Sequence, residues 1–191
     1  MNRWSLLIAL TLSAVAVWVF AKDPGTPPSP QRPHASPMVT VREADSNGNP
    51  AAAQEQARIT KTDAEWRQQL GDDVYRIARA KGTERPFCGT LLDNKKTGIY
   101  RCVCCKLPLY TSQAKFNSGT GWPSFFAPFA EENVASVRDS SHGMVRTEIL
   151  CARCDCHLGH VFDDGPAPTG QRHCLNSASL TFEERPLPAS K

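Results

Sequence analysis

Charge of one sign is nearly absent: 22 Lys and Arg stand against 19 Asp and Glu in 191 residues, a formal charge of +3. So small a balance excludes an electrostatic case for nucleic-acid binding, which rests on a basic patch or stripe. The cysteine density of a scaffold held only by disulfides is missing too. Eight cysteines are too few for that at this length, yet too many for chance packing. No internal repeat exists beyond two paired-cysteine motifs. No cysteine follows the one long apolar run, which excludes a lipid anchor on cysteine. What is present is 40% hydrophobic and 21% charged residues, enough apolar mass for one packed core, with 15 prolines that cluster near the start.

After Arg3 no charge occurs until Lys22, and Ser5–Ala21 is continuously apolar. A basic start followed by such a run is the pattern of an export signal, with Val19 and Ala21 as small residues before a cut at Lys22. The run also reaches the roughly 17–25 residues that span a bilayer. Residues 1–21 are therefore expected to be a signal peptide or an N-terminal membrane anchor. The remainder is expected outside the cytosol, in the periplasm or cell envelope. Residues 22–60 read as a Pro-rich disordered linker, with a frayed helix as the alternative for 51–60. The domain is expected over 61–185 and a short tail over 186–191.

Thr62-Asp63-Ala64-Glu65 has the form of a capping box and predicts a helix with Trp66 and Leu70 inward. Asp72-Asp73 begin a second helix with Val74, Ile77 and Ala78 inward, ending at Gly82. Strands are predicted at Gly98–Val103, Leu107–Tyr110, Val134–Arg138, Val145–Leu150, Leu158–Phe162 and Arg172–Phe182. No helical pattern separates them, so the fold reads as mainly β and antiparallel.

Cys102 and Cys105 form one C-x-x-C pair, and Cys151 and Cys154 form another. Two such turns supply the four thiolates of a closed structural Zn2+ site, without an open position for catalysis. The alternative is a pair of disulfides, each closing so short a loop that little chain entropy is constrained. Cys104 and Cys156 flank the turns and read as small buried residues. Cys174 lies two residues from Arg172, on the same face of a strand, where positive charge would lower a thiol pKa. His157 and His160 precede it. A cysteine with histidines elsewhere in the chain is a candidate nucleophile, with a buried thiol and core histidines as the alternative. Trp122, between Gly121 and Pro123, suggests an exposed turn whose indole could wall a pocket.

Taken together, Ser118–Phe125 (SGTGWPSF), His157–Phe162 (HLGHVF), Asp164-Gly165-Pro166, Pro168-Thr169-Gly170 and Arg172-x-Cys174-x-Asn176-Ser177 resemble the type B peptide-methionine (R)-S-oxide reductases. The resemblance runs from about Thr62 to Glu184. It implies two antiparallel sheets around the active site, short N-terminal helices and zinc on the four paired cysteines. It implies Cys174 as nucleophile, with Arg172, His157, His160, Asp164 and Asn176 around the sulfoxide, and Trp122 against its methyl group. It makes Cys88 a candidate resolving cysteine, because another position used for that purpose, in Val134–Val145, has no cysteine here. It also implies oxidised proteins or peptides as substrate and a thioredoxin-like reductant as partner. His173 stands where many members have tyrosine, and no role is assigned to it. Two other readings compete: a non-enzymatic zinc-ribbon module, and a disulfide-framed structural protein of the envelope.

Overall fold

The structure, a computed structural model, describes residues 36–189. The expected leader over 1–21, the first part of the expected linker and the last two residues of the tail lie outside the described residues.

Two short helices open the domain. Helix α1 (Asp63–Leu70) starts as its capping box predicts: the Glu65 amide donates to Thr62 Oγ1, and the Thr62 amide donates to the Glu65 carboxylate. Gly71 ends it and leads into α2 (Asp72–Ala78). Trp66, Tyr75, Ile77 and Ala78 are buried, and the Arg79 guanidinium covers the Trp66 ring at 4.8 Å.

The rest is antiparallel sheet. Strands β3 (Gly98–Cys102), β4 (Pro108–Thr111) and β11 (Leu180–Glu184) form a three-stranded sheet in the order β11-β3-β4. A six-stranded sheet contains β5 (Lys115–Phe116), β6 (Ser124–Phe125), β7 (Val134–Asp139), β8 (Arg146–Cys151), β9 (His157–Phe162) and β10 (Arg172–Leu175). Its order is β5-β6-β10-β9-β8-β7. The core between the sheets holds Tyr100, Tyr110 and Phe125, with ring centroids 4.7–4.9 Å apart.

Two expectations are corrected. Arg172–Phe182 is not one strand. It breaks after Leu175 into a single helical turn at Ser177–Ser179, and β11 continues in the other sheet. The Glu84 carboxylate holds that turn by accepting from the amides of Ser177 and Ala178 at 2.6 and 3.0 Å. The linker expectation fails over its described part. There β1 (Met38–Val41) and β2 (Gln54–Ala57) pair as an antiparallel hairpin, and the frayed-helix alternative for 51–60 gives way to a strand. The segment is polar, but it does not rely on its own apolar surface. Val41 is fully buried. The Asn133 side chain, also buried, accepts from the Arg42 amide and donates to the carbonyls of Arg42 and Pro108 at 2.7–2.8 Å. Arg58 donates to the Ala152 carbonyl at 2.7 Å.

Candidate active site and cysteine cluster

Strand β10 places Cys174 between β6 and β9, opposite Ser124 on one side and His160 on the other. The sheet can close this tightly because residue 159 is glycine: a Cβ there would collide with the Cys174 carbonyl oxygen. Beside the half-buried Cys174 lies a cavity of about 130 Å³. Trp122, Phe162, His157, His160, Asn176, Thr83 and Arg146 are in its wall. Trp122 is pinned by its indole N–H, which donates to the Glu84 carbonyl at 3.1 Å.

Each histidine is backed by a carboxylate. His157 Nδ1 is 2.8 Å from Glu148 Oε1, and the other Glu148 oxygen accepts from Lys81 Nζ at 2.9 Å. Glu148 is 1% exposed, so the pair is shielded from solvent. His160 Nε2 is 2.8 Å from Asp139 Oδ2, which also accepts from Arg146 at 2.9 Å. Hydrogen bonds from Ser141 hold the Asp139 carboxyl far below the usual carboxylate range. Burial pushes His160 below an ordinary histidine, against the pull of Asp139. An ionised carboxylate only accepts, so the proton of His160 sits on Nε2. A carboxylate paired with Lys81 assigns Nδ1–H to His157 in the same way. The rings meet edge to face at 5.7 Å.

Arg172 does act to lower the Cys174 thiol pKa, but the expected net lowering is corrected. Burial raises it, and the Thr120 hydrogen bond and the charge and hydrogen bond of Arg172 oppose this without overcoming it. Arg172 is engaged elsewhere, donating to both oxygens of Asp164 at 2.8 and 2.9 Å and lying 4.4 Å above the Phe162 ring. Asp164 is thereby held ionised and is absent from the cavity wall. Asn176 lines the cavity, but its Oδ1 accepts from the Glu84 amide at 3.1 Å. His173 faces the core, where Tyr110 meets its Nδ1 at 3.0 Å and burial lowers its pKa to about 4.

Cys88 is exposed and does not line the cavity. Its loop is nonetheless tied to the segments that do. The Phe87 amide donates to the Gly121 carbonyl at 2.8 Å, and the Leu91 amide donates to Ser177 Oγ at 3.4 Å.

The four paired cysteines converge. Cys102, Cys105, Cys151 and Cys154 have sulfurs within 4.8 Å of one another. Cys102–Cys154 and Cys105–Cys151 are 3.6 and 3.5 Å apart. With bonds of about 2.3 Å, two thiolates on one tetrahedral zinc lie about 3.8 Å apart, so the cluster fits a metal. These separations also exceed the ~2.05 Å of a disulfide. Burial and mutual crowding push Cys151 and Cys154 well above the thiol range. Four thiolates this close, three of them buried, would need a cation.

Sequence reasoning missed Glu84, Thr120, Asp139, Arg146, Glu148 and Phe162. Glu148 did leave a signal, as a lone carboxylate among apolar residues of a predicted strand. Glu84 left none, because its partners are backbone amides ninety residues away.

Fold and site together define a mainly β domain with a half-buried cysteine beside two carboxylate-backed histidines and a four-cysteine group that could hold a metal. The SelR domain matches residues 70–184, and the chain belongs to that family. A protein of Hahella chejuensis named peptide methionine sulfoxide reductase MsrB is 62% identical over 125 residues, 65% of this chain and 90% of that protein. A Pseudomonas putida (strain GB-1) protein of the same name is 55% identical over 128 residues, 67% of this chain and 98% of that protein.

Proposed function

We propose that this chain reduces methionine-(R)-sulfoxide in oxidised proteins or peptides, with Cys174 as nucleophile. The observation that carries the reading is the half-buried Cys174 thiol in a small cavity walled by Trp122 and by two histidines that each hold a carboxylate. The Cys174 sulfur, as thiolate, attacks the sulfoxide sulfur and forms an S–S bond while the S–O bond breaks and the protonated oxygen leaves as water. Water then attacks the Cys174 sulfur, the S–S bond breaks, methionine departs and Cys174 is left as sulfenic acid. The sulfoxide oxygen must gain a proton on the way. His157 is suited to give it: its Nδ1 is committed to Glu148 and Nε2 remains for the cavity. Trp122 and Phe162 receive the methyl group. The opposite epimer would set oxygen against an apolar wall with no donor.

Cys88 then condenses with the sulfenic acid, releasing water and forming a disulfide. A thioredoxin-like dithiol reduces that disulfide and is itself oxidised. The Glu84 and Ser177 tethers, which hold the Cys88 loop against the turn after Cys174, support this pairing. Zn2+ on Cys102, Cys105, Cys151 and Cys154 supplies a closed structural cross-link. Export to the periplasm or envelope, with residues 1–21 as signal or anchor, belongs to the same reading. A stereospecific assay with a dithiol reductant tests it. Reduction of the R epimer, free or peptide-bound, is expected; no turnover of either epimer would favour the non-enzymatic module.

A further inference from the structure

We propose that Cys104 and Cys156, with Cys102 shared, form a second metal site, so that the cluster holds two soft d10 cations on six sulfurs. The sulfurs of Cys102, Cys104 and Cys156 lie within 4.8 Å of one another, and all three residues are buried. Three thiolates around one ion with bonds of about 2.3 Å stand about 4 Å apart, inside that envelope. Cys102 ends β3, Cys104 sits in the turn after it, and Cys156 sits in the turn before β9. The three are therefore presented by the same two turns that build the four-cysteine site. Cys104 faces Cys154 as well as Cys102 and Cys156, so a second thiolate is placed to bridge.

Packing alone gives a weaker account of Cys104 and Cys156. The Cys156 thiol donates a long hydrogen bond to the His157 carbonyl, at 3.7 Å. A thiol is a weak donor that a metal readily displaces. Charge also permits a second ion. Two divalent cations with six thiolates carry the same net charge as one with four. Cationic side chains already surround the turns: Arg58, Arg79 and Arg153 donate to the carbonyls of Ala152, Cys154 and Cys105. An all-sulfur, three-coordinate site selects thiophilic ions, zinc or copper(I), over oxygen-seeking ones. The second site does not depend on the reductase chemistry.

The test is metal stoichiometry of the reduced full chain by mass spectrometry under native conditions, titrated first with zinc and then with copper(I). Two ions per chain are expected with at least one of the two metals, and Cys104 and Cys156 should then resist alkylation. Cys104→Ser and Cys156→Ser should each hold one ion. Saturation of the parent at one ion with both metals would overturn the proposal. So would retention of two ions by both variants, or a Cys104–Cys156 disulfide in the metal-loaded parent. The parent titration decides even if a variant fails to fold.

Discussion

Cys174 depends on its immediate neighbours for everything beyond a sulfur atom. Thr120 Oγ1 lies 3.9 Å from its sulfur and is linked through Ser118 to Ser124, the residue opposite Cys174 in β6. Cys174→Ser should drop turnover to the uncatalysed background with an unchanged melting curve; measurable multiple turnover would remove it as nucleophile. Burial sets its thiol above the ordinary range, and the Asp164 charge adds to that rise. Thiolate therefore accumulates only as pH rises past the free-thiol value of about 8.5. Asp164→Asn removes the anion and releases Arg172, so the alkylation midpoint of Cys174 should fall. A midpoint that stays or rises would show that Arg172 does not reach the sulfur. Glu148→Gln keeps a hydrogen bond to His157 but removes the second carboxylate oxygen that meets Lys81. A loss of kcat of about tenfold or more is expected with KM little changed. A loss no larger than the fall in the folded fraction would mark Glu148 as merely structural. Cys174, His157 and His160 were legible because a few ordered motifs contain them. Glu148 and Asp139 were not, because Glu148 meets His157 from the neighbouring strand and Asp139 meets His160 from beyond the intervening β8, and register cannot be read from one strand.

At the scale of elements, the sequence was clearest where local chemistry decides. The capping box of α1 depends on Thr62 and Glu65 alone, and five of the six predicted strands lie where β-branched and aromatic residues gather. It was least clear where a distant partner decides. Strand β10 gives way to a turn because Glu84 captures the amides of Ser177 and Ala178, and the β1–β2 hairpin folds because Asn133 receives it. The hairpin also precedes the matched family region, and its second strand, Gln54–Ala57, is mostly polar. Asn133→Ala would leave the Arg42 and Pro108 groups without their buried partner, at about 1–3 kcal/mol for each unsatisfied group. Denaturant unfolding should show a loss of about 2 kcal/mol or more; a loss near zero would mean that the hairpin is docked by other contacts. The Cys88 loop gives a kinetic prediction at the same scale. Cys88→Ser should release one equivalent of methionine and then stall with a thioredoxin-like donor. Sustained turnover at the parental rate would assign resolution to another thiol.

For the molecule as a whole, the cysteine cluster decides whether the two sheets act as one body. Cys102 is the last residue of β3, in the three-stranded sheet, and Cys151 is the last residue of β8, in the six-stranded sheet. A metal on both, with Cys105 and Cys154, is thus a cross-link between the sheets, added to the short chain connections from β4 to β5 and from β10 to β11. The same turn runs from Cys154 through Cys156 into β9, which begins at His157. Loss of the cross-link should therefore reach the active site through three residues of backbone. In such sites metal affinity is largely folding free energy, because the unfolded chain does not preform the ligand cage. Cys151→Ser, or a strong chelator applied to the parent, should release metal and lower the melting temperature severely, and activity should fall in step with the folded fraction. Readdition of zinc under reducing conditions should restore both in the chelated parent but not in Cys151→Ser. If the melting temperature survived complete metal removal, the sheets would be held together by their aromatic core alone, and the four sulfurs would have to be explained without a metal.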